Sequence, residues 1–203
     1  MRIGVFGGSF DPVHYGHLLL AEQCREQAEL DRVLFLPSAI SPFKEQGPEA
    51  SDKDRLQMLA LALAGHTPFE VSPLEIERGG ISYTADTLQA LAEQYADSQL
   101  FLLIGSDTLG GLPQWKEPST VCSLALPLVV ERPGSGPVDF DILSQWVSPE
   151  RMAQIRQQAL VTRPVDISSR DIRWRTGQSK STRYMLPRAV EKYIETKKLY
   201  LDR

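Results

Sequence analysis

Apolar residues fall along the chain in short, nearly continuous runs separated by stretches of helical spacing. The first run, residues 2–6, is β-rich and stops at Gly7-Gly8-Ser9. After Asp11-Pro12, the positions Leu18, Ala21, Cys24 and Ala28 mark a helix over 14–30. Val33–Leu36 is too continuous for a strand with one solvated face and reads as a strand buried on both. Residues 38–51 hold Pro42, Gly47 and Pro48 with little apolar periodicity and predict a surface loop of functional length; Ser51-Asp52 then opens a helix through Leu56, Leu59 and Leu63. The pattern continues with a strand at 69–71, a helix over 85–95, strands at 100–104 and 126–130, a weak helical signal over 140–146, a helix over 149–158 and a strand at 159–162. A closing helix spans 187–197, with Pro187 near its first turn. Repeated βα alternation predicts an α/β fold with a parallel sheet. There is no internal repeat and no low-complexity segment.

Composition narrows the class. The 203 residues fit one domain, and 42% hydrophobic with 24% charged residues excludes disordered and fibrous chains. No apolar run approaches the roughly 20 residues that cross a bilayer, and the N-terminal run is too short for a signal peptide, so a cytoplasmic protein with no membrane partner is expected. Cys24 and Cys122 stand apart from each other and from any Cys/His cluster, so they read as reduced structural thiols. The net charge is −4, yet residues 163–188 hold seven basic and two acidic side chains, which are either a solvated basic face or a surface for an anion.

The chemistry concentrates where the first strand ends. Gly7-Gly8-Ser9-Phe10-Asp11-Pro12-Val13-His14-Tyr15-Gly16-His17 is delivered to the carboxyl edge of a parallel sheet, where α/β proteins bind ligands. The glycines permit close backbone approach, and the following helix N-terminus suits an anion. His14 and His17, three apart, project toward one ligand as donors to phosphate; a metal pair is the weaker reading, without a carboxylate or cysteine partner. A second clamp lies in Ile167-Ser168-Ser169-Arg170-Asp171-Ile172-Arg173: a serine can cap a short helix there, and Arg173 one turn on is a bidentate donor. An ordinary capped helix with surface arginines is the bland alternative. No Gly-x-Gly-x-x-Gly follows the first strand, no P-loop is present, and no covalent nucleophile can be placed.

These segments, 7–17 and 167–173, resemble the paired signatures of the nucleotidyltransferase superfamily. Ser82-Tyr83-Thr84-Ala85-Asp86-Thr87-Leu88, Ile104-Gly105-Ser106-Asp107-Thr108-Leu109 through Trp115, and the end of the chain from Leu186-Pro187 to Tyr200 are similar to the bacterial nicotinate-nucleotide adenylyltransferases. The resemblance runs in order over essentially the whole chain. Arg170 departs from it, standing where many relatives carry Thr or Ser, and receives no role.

The resemblance implies a single domain over 1–203 with a Rossmann-like, doubly wound, mainly parallel sheet, helices on both faces and a small C-terminal helical part from about residue 167. It implies adenylyl transfer from ATP to nicotinate mononucleotide in NAD biosynthesis, with Mg²⁺ accompanying ATP and no metal cage in the protein. Gly7, Gly8, Ser9, Phe10, His14, His17, Gly105, Asp107, Ser168, Ser169 and Arg173 would bind ATP, with His14 and His17 catalytic. Lys44, Thr84, Trp115 and Arg132 would bind the second substrate, the indole stacking on its ring. Nicotinamide mononucleotide and phosphopantetheine stay open as alternative acceptors, as does a nucleotide-binding regulator without turnover. Nucleic acid is not expected as a partner, since Trp174 and Tyr184 alone suggest no known module. A homo-oligomer stays open.

Overall fold

The structure, a computed structural model, describes residues 1–43, 46–131, 138–161 and 165–201. Among these, β1 (Arg2–Gly8), β2 (Arg32–Pro37), β3 (Phe69–Val71), β4 (Gln99–Gly105), β5 (Ala125–Glu131) and β6 (Leu160–Val161) form one sheet in the order β3-β2-β1-β4-β5-β6. Every pairing is parallel. The connecting helices are α1 (Tyr15–Gln27), α2 (Asp52–Leu63), α3 (Leu74–Arg78), α4 (Thr84–Gln94), α5 (Ser106–Leu109), α6 (Pro118–Leu124) and α7 (Pro149–Gln157); α8 (Ser169–Gly177) and α9 (Arg188–Lys197) close the chain. The strands are apolar without alternation because both sheet faces are covered: Val33–Leu36 and Leu100–Ile104 are buried throughout. The chain grows one way from β1 to β3 and the other way from β4 to β6. Right-handed crossovers therefore put helices on opposite faces and open a crevice beyond the carboxyl ends of β1 and β4. None of the described helices is long and apolar enough to cross a membrane.

Local differences from the sequence pattern sit around this crevice. Gly7 and Gly8 continue β1, in register with Leu36 and Pro37, instead of starting the turn. A Cβ at Gly8 would lie 3.1 Å from Cζ of Phe10, whose ring is tucked beneath the strand end, so the glycine makes room for that ring. Phe10 itself has φ 45°, a left-handed backbone that an aromatic residue adopts at a cost. Its burial against Phe6, Phe35 and His17, with ring centroids 5.0–5.6 Å away, offsets that cost. The weak helical signal over 140–146 is a single 3₁₀ turn, Phe140–Leu143.

One buried carboxylate ties four separate segments together. Asp11 is 3% exposed; its Oδ1 accepts from the Ala50 N–H at 3.1 Å and the Tyr200 hydroxyl at 2.7 Å, and its Oδ2 accepts from the Glu49 N–H at 2.8 Å. Arg173 of α8 donates through Nη1 to the Asp11 carbonyl at 2.7 Å and through Nε to Glu49 Oε1 at 2.7 Å. Burial and the neighbouring carboxylate push the Tyr200 phenol far above its ordinary range, so it remains a donor. From the other side Arg55, fully buried on α2, donates from Nη1 to the Ser9 carbonyl at 2.8 Å and pairs through Nη2 with Asp52. The turn after β1 is thus held by α2, α8 and the C-terminal segment, with α9 packed on α2 and Tyr193 donating to Asp54 at 2.8 Å.

Replacing Asp11 by Ala strands two N–H groups and a phenol and removes the carboxylate facing Arg173. It is expected to cost about 3–5 kcal/mol, read as a lower denaturant midpoint; a loss below about 1 kcal/mol would mean that the knot adds little.

Candidate active site

The crevice is a cavity of about 950 Å³, the size of a nucleotide site. Its walls come from the end of β1 and the following turn (Phe6, Gly7, Gly8, Ser9, Phe10), the start of α1 (His14, Gly16, His17) and the 38–43 loop. Ser82–Thr84, the end of β4 with Gly105 and Asp107, Trp115–Lys116 and residues 165–169 complete it.

The two histidines are locked together. His14 is not on the helix, as its spacing suggested, but is the N-cap of α1, with ψ 170°. Its Nδ1 accepts from the His17 N–H at 3.4 Å, while His17 Nδ1 accepts from the His14 N–H at 3.3 Å, a reciprocal capping box. The rings stack at 3.7 Å with 19° between planes. Since both Nδ1 atoms accept from backbone, each neutral ring carries its proton on Nε2, and both become donors of fixed tautomer. Burial pushes the His14 pKa down to about 4, so this ring is neutral at pH 7. Gly16 leaves room for the same packing. A Cβ there would lie 3.0 Å from Cε1 and Nδ1 of His14 and 3.5 Å from the Ile167 carbonyl.

The second expected phosphate clamp meets the first. Ser168 caps α8 by accepting from the Asp171 N–H at 3.1 Å, and Ser169 donates to the Pro12 carbonyl at 2.9 Å, drawing the α8 N-terminus onto the turn before α1. Both serines line the cavity. Arg173 does not: its guanidinium is engaged by Glu49 and the Asp11 carbonyl, so it braces the clamp from behind.

Thr84, also in the cavity wall, begins α4, whose N-terminus has no side-chain cap. Ser82 holds this turn against the loop after β2: its Oγ accepts from the Ala39 N–H at 3.0 Å and its N–H donates to the Ile40 carbonyl at 2.8 Å. Trp115 faces Phe43 across 6.2 Å between ring centroids. Lys44 and Arg132 lie outside the described residues.

Several wall residues escaped the sequence reading. Phe43 carried no signal beyond its place beside Lys44. Glu75 is buried in the wall and accepts from the Thr87 hydroxyl at 2.7 Å, which in turn accepts from Arg78 at 3.0 Å. Lys116 received no role from the sequence, and only the fold brings it to Asp86.

A cytidylyltransferase-like family profile matches residues 5–175, and the chain belongs to that family. Its curated relatives narrow the class further: it is 44% identical over 200 residues to a probable nicotinate-nucleotide adenylyltransferase of Roseiflexus sp., covering 98% of this chain and 97% of that one. It is 39% identical over 198 residues to the protein of the same name from Rhodopirellula baltica, covering 98% and 92%. Among solved structures, Plasmodium falciparum nicotinic acid mononucleotide adenylyltransferase complexed with NaAD superposes with a TM-score of 0.77 over 98% of this chain and 97% of that one, at 18% identity. That likeness is one of fold.

The depressed His14 pKa has a sign in stability. The unfolded chain binds a proton near pH 6.5 that the folded chain refuses until about pH 4. Stability is therefore complete above pH 6.5 and lost as the pH falls from 6.5 to 4, on the order of 3 kcal/mol from this group. Denaturation midpoints measured across that window are expected to fall in the wild type and to fall less in His14→Gln; equal slopes would remove His14 as the cause.

Proposed function

We propose that this chain transfers the AMP moiety of ATP to nicotinate mononucleotide, giving nicotinate adenine dinucleotide and pyrophosphate in NAD biosynthesis. What carries the reading is one cavity lined by the histidine pair at the start of α1, the serines at the start of α8, Thr84 at the start of α4 and the Trp115 indole, in a chain that matches nicotinate-nucleotide adenylyltransferases over almost its full length.

In this reading the mononucleotide phosphate attacks the ATP α-phosphorus, one P–O bond forms, the bond to the β-phosphate oxygen breaks, and pyrophosphate leaves. The nucleophile is already ionised at pH 7, so no general base is needed. The protein's task is to bring two polyanions together and to stabilise charge at the reacting phosphorus. The Nε2–H groups of His14 and His17 donate to phosphate oxygens, His17 nearer the reacting centre. Gly7, Gly8, Ser9, Ser168 and Ser169 surround the triphosphate, with Gly105 and Asp107 along the nucleotide. Arg173 serves by bracing the serine clamp. ATP enters as its magnesium complex, the ion held by phosphate oxygens and water. The pyridine ring lies on Trp115, its carboxylate at the open N-terminus of α4 beside Thr84, and Lys44 and Arg132 are kept as further ligand contacts.

Pyrophosphate release with Mg·ATP and matched concentrations of nicotinate mononucleotide, nicotinamide mononucleotide or phosphopantetheine tests this. Strong preference for the nicotinate acceptor is expected. Preference for another acceptor overturns the substrate, and no release with any of them leaves a nucleotide-binding regulator. His17→Ala is expected to fold normally and to lose about 100- to 1,000-fold in kcat, the worth of one preorganised donor; a near-normal rate would take His17 out of the mechanism.

A further inference from the structure

We propose that the Lys116–Asp86 ion pair sets the preference for the acid over the amide form of the pyridine mononucleotide, an inference that rests on the function proposed above and deepens it. Lys116 follows Trp115 and lines the same cavity. Its Nζ lies 2.7 Å from Asp86 Oδ1 and 5.1 Å from the centre of the Tyr83 ring. Asp86 is in the first turn of α4, the helix whose uncapped N-terminus opens beside Thr84. A carboxylate in a first turn favours its own helix but opposes a second anion arriving at that terminus. The ammonium on Asp86 cancels that opposition, leaving the α4 N–H groups and their dipole to receive the substrate carboxylate. The hydrogen bond to Asp86 also raises the Lys116 pKa, so the side chain is cationic at pH 7. Among the described residues Glu117 also acts on the Lys116 ammonium, Asp107 lines the cavity, and Glu75 and Arg78 meet on the Thr87 hydroxyl. Glu75 and Arg78 are already coupled to each other through that hydroxyl, which leaves Lys116 as the cation of the described lining that pairs with the first turn of α4.

The two mononucleotides differ only in carboxylate against carboxamide, so the ratio of their kcat/KM values isolates this charge. Lys116→Met is expected to lower the nicotinate-to-nicotinamide ratio by about tenfold, equivalent to about 1.4 kcal/mol. The loss should fall on the KM for nicotinate mononucleotide, with the KM for ATP unchanged. Lys116→Arg is expected to keep the ratio, and Asp86→Asn placed in the Lys116→Met background to return it to within about threefold of the wild type. An unchanged ratio in Lys116→Met, equal losses on both mononucleotides, or no recovery in the double variant overturns the role of the pair while leaving the proposed function standing. A wild-type enzyme that prefers the amide overturns both.

Discussion

The site depends on the burial of one carboxylate, that of Asp11, in the turn that follows the first strand. A charge taken out of water is stable only if every lone pair finds a donor. The donors come from residues 49 and 50 and from Tyr200, while the Arg173 guanidinium stands 3.7 Å from Oδ2 as the counter-charge and donates to the Asp11 carbonyl. The turn can therefore reach its native conformation only when the segment before α2, helix α8 and the end of the chain are all in place. That requirement joins the turn before α1 and the N-terminus of α8, whose bonded residues lie 157 positions apart, into one wall.

The charge pattern follows from this arrangement. The chain carries a net −4, yet its proposed substrates are polyanions. In the proposed reading the cavity meets them with dipoles: the N-terminal residues of α1, α4 and α8 line it, and the histidine pair adds donors, of which His14 is held neutral by burial. Neutral donors of fixed tautomer stabilise developing charge without the desolvation cost of buried cations.

The βα alternation was legible because a parallel sheet buried on both faces writes continuous apolar runs, as at Val33–Leu36 and Leu100–Ile104. The two segments proposed to hold phosphate were legible as candidates from their order of glycines, histidines and serines, and the fold brings both to one cavity wall. The short helices α3 and α5, of five and four residues, gave no signal because they are too brief for a helical period. α6 was hidden by the β-branched Thr120 and Val121 within its seven residues. The roles of Asp11, Arg55, Glu75 and the Lys116–Asp86 pair were illegible for a different reason. Each depends on a partner brought near only by the fold, the most distant being Tyr200, 189 residues from Asp11. Arg173 shows the converse: its place in a phosphate-binding pattern was visible, while its engagement with Glu49 and the Asp11 carbonyl was not.

The central claim is that the capping box makes His14 and His17 a pair of Nε2–H donors. Long-range ¹H–¹⁵N correlation of the imidazole rings at pH 7 tests it directly. The account predicts two neutral rings, each with an unprotonated Nδ1 and a protonated Nε2, with His14 remaining so to about pH 4. An imidazolium at His14, or a proton on either Nδ1, would contradict it.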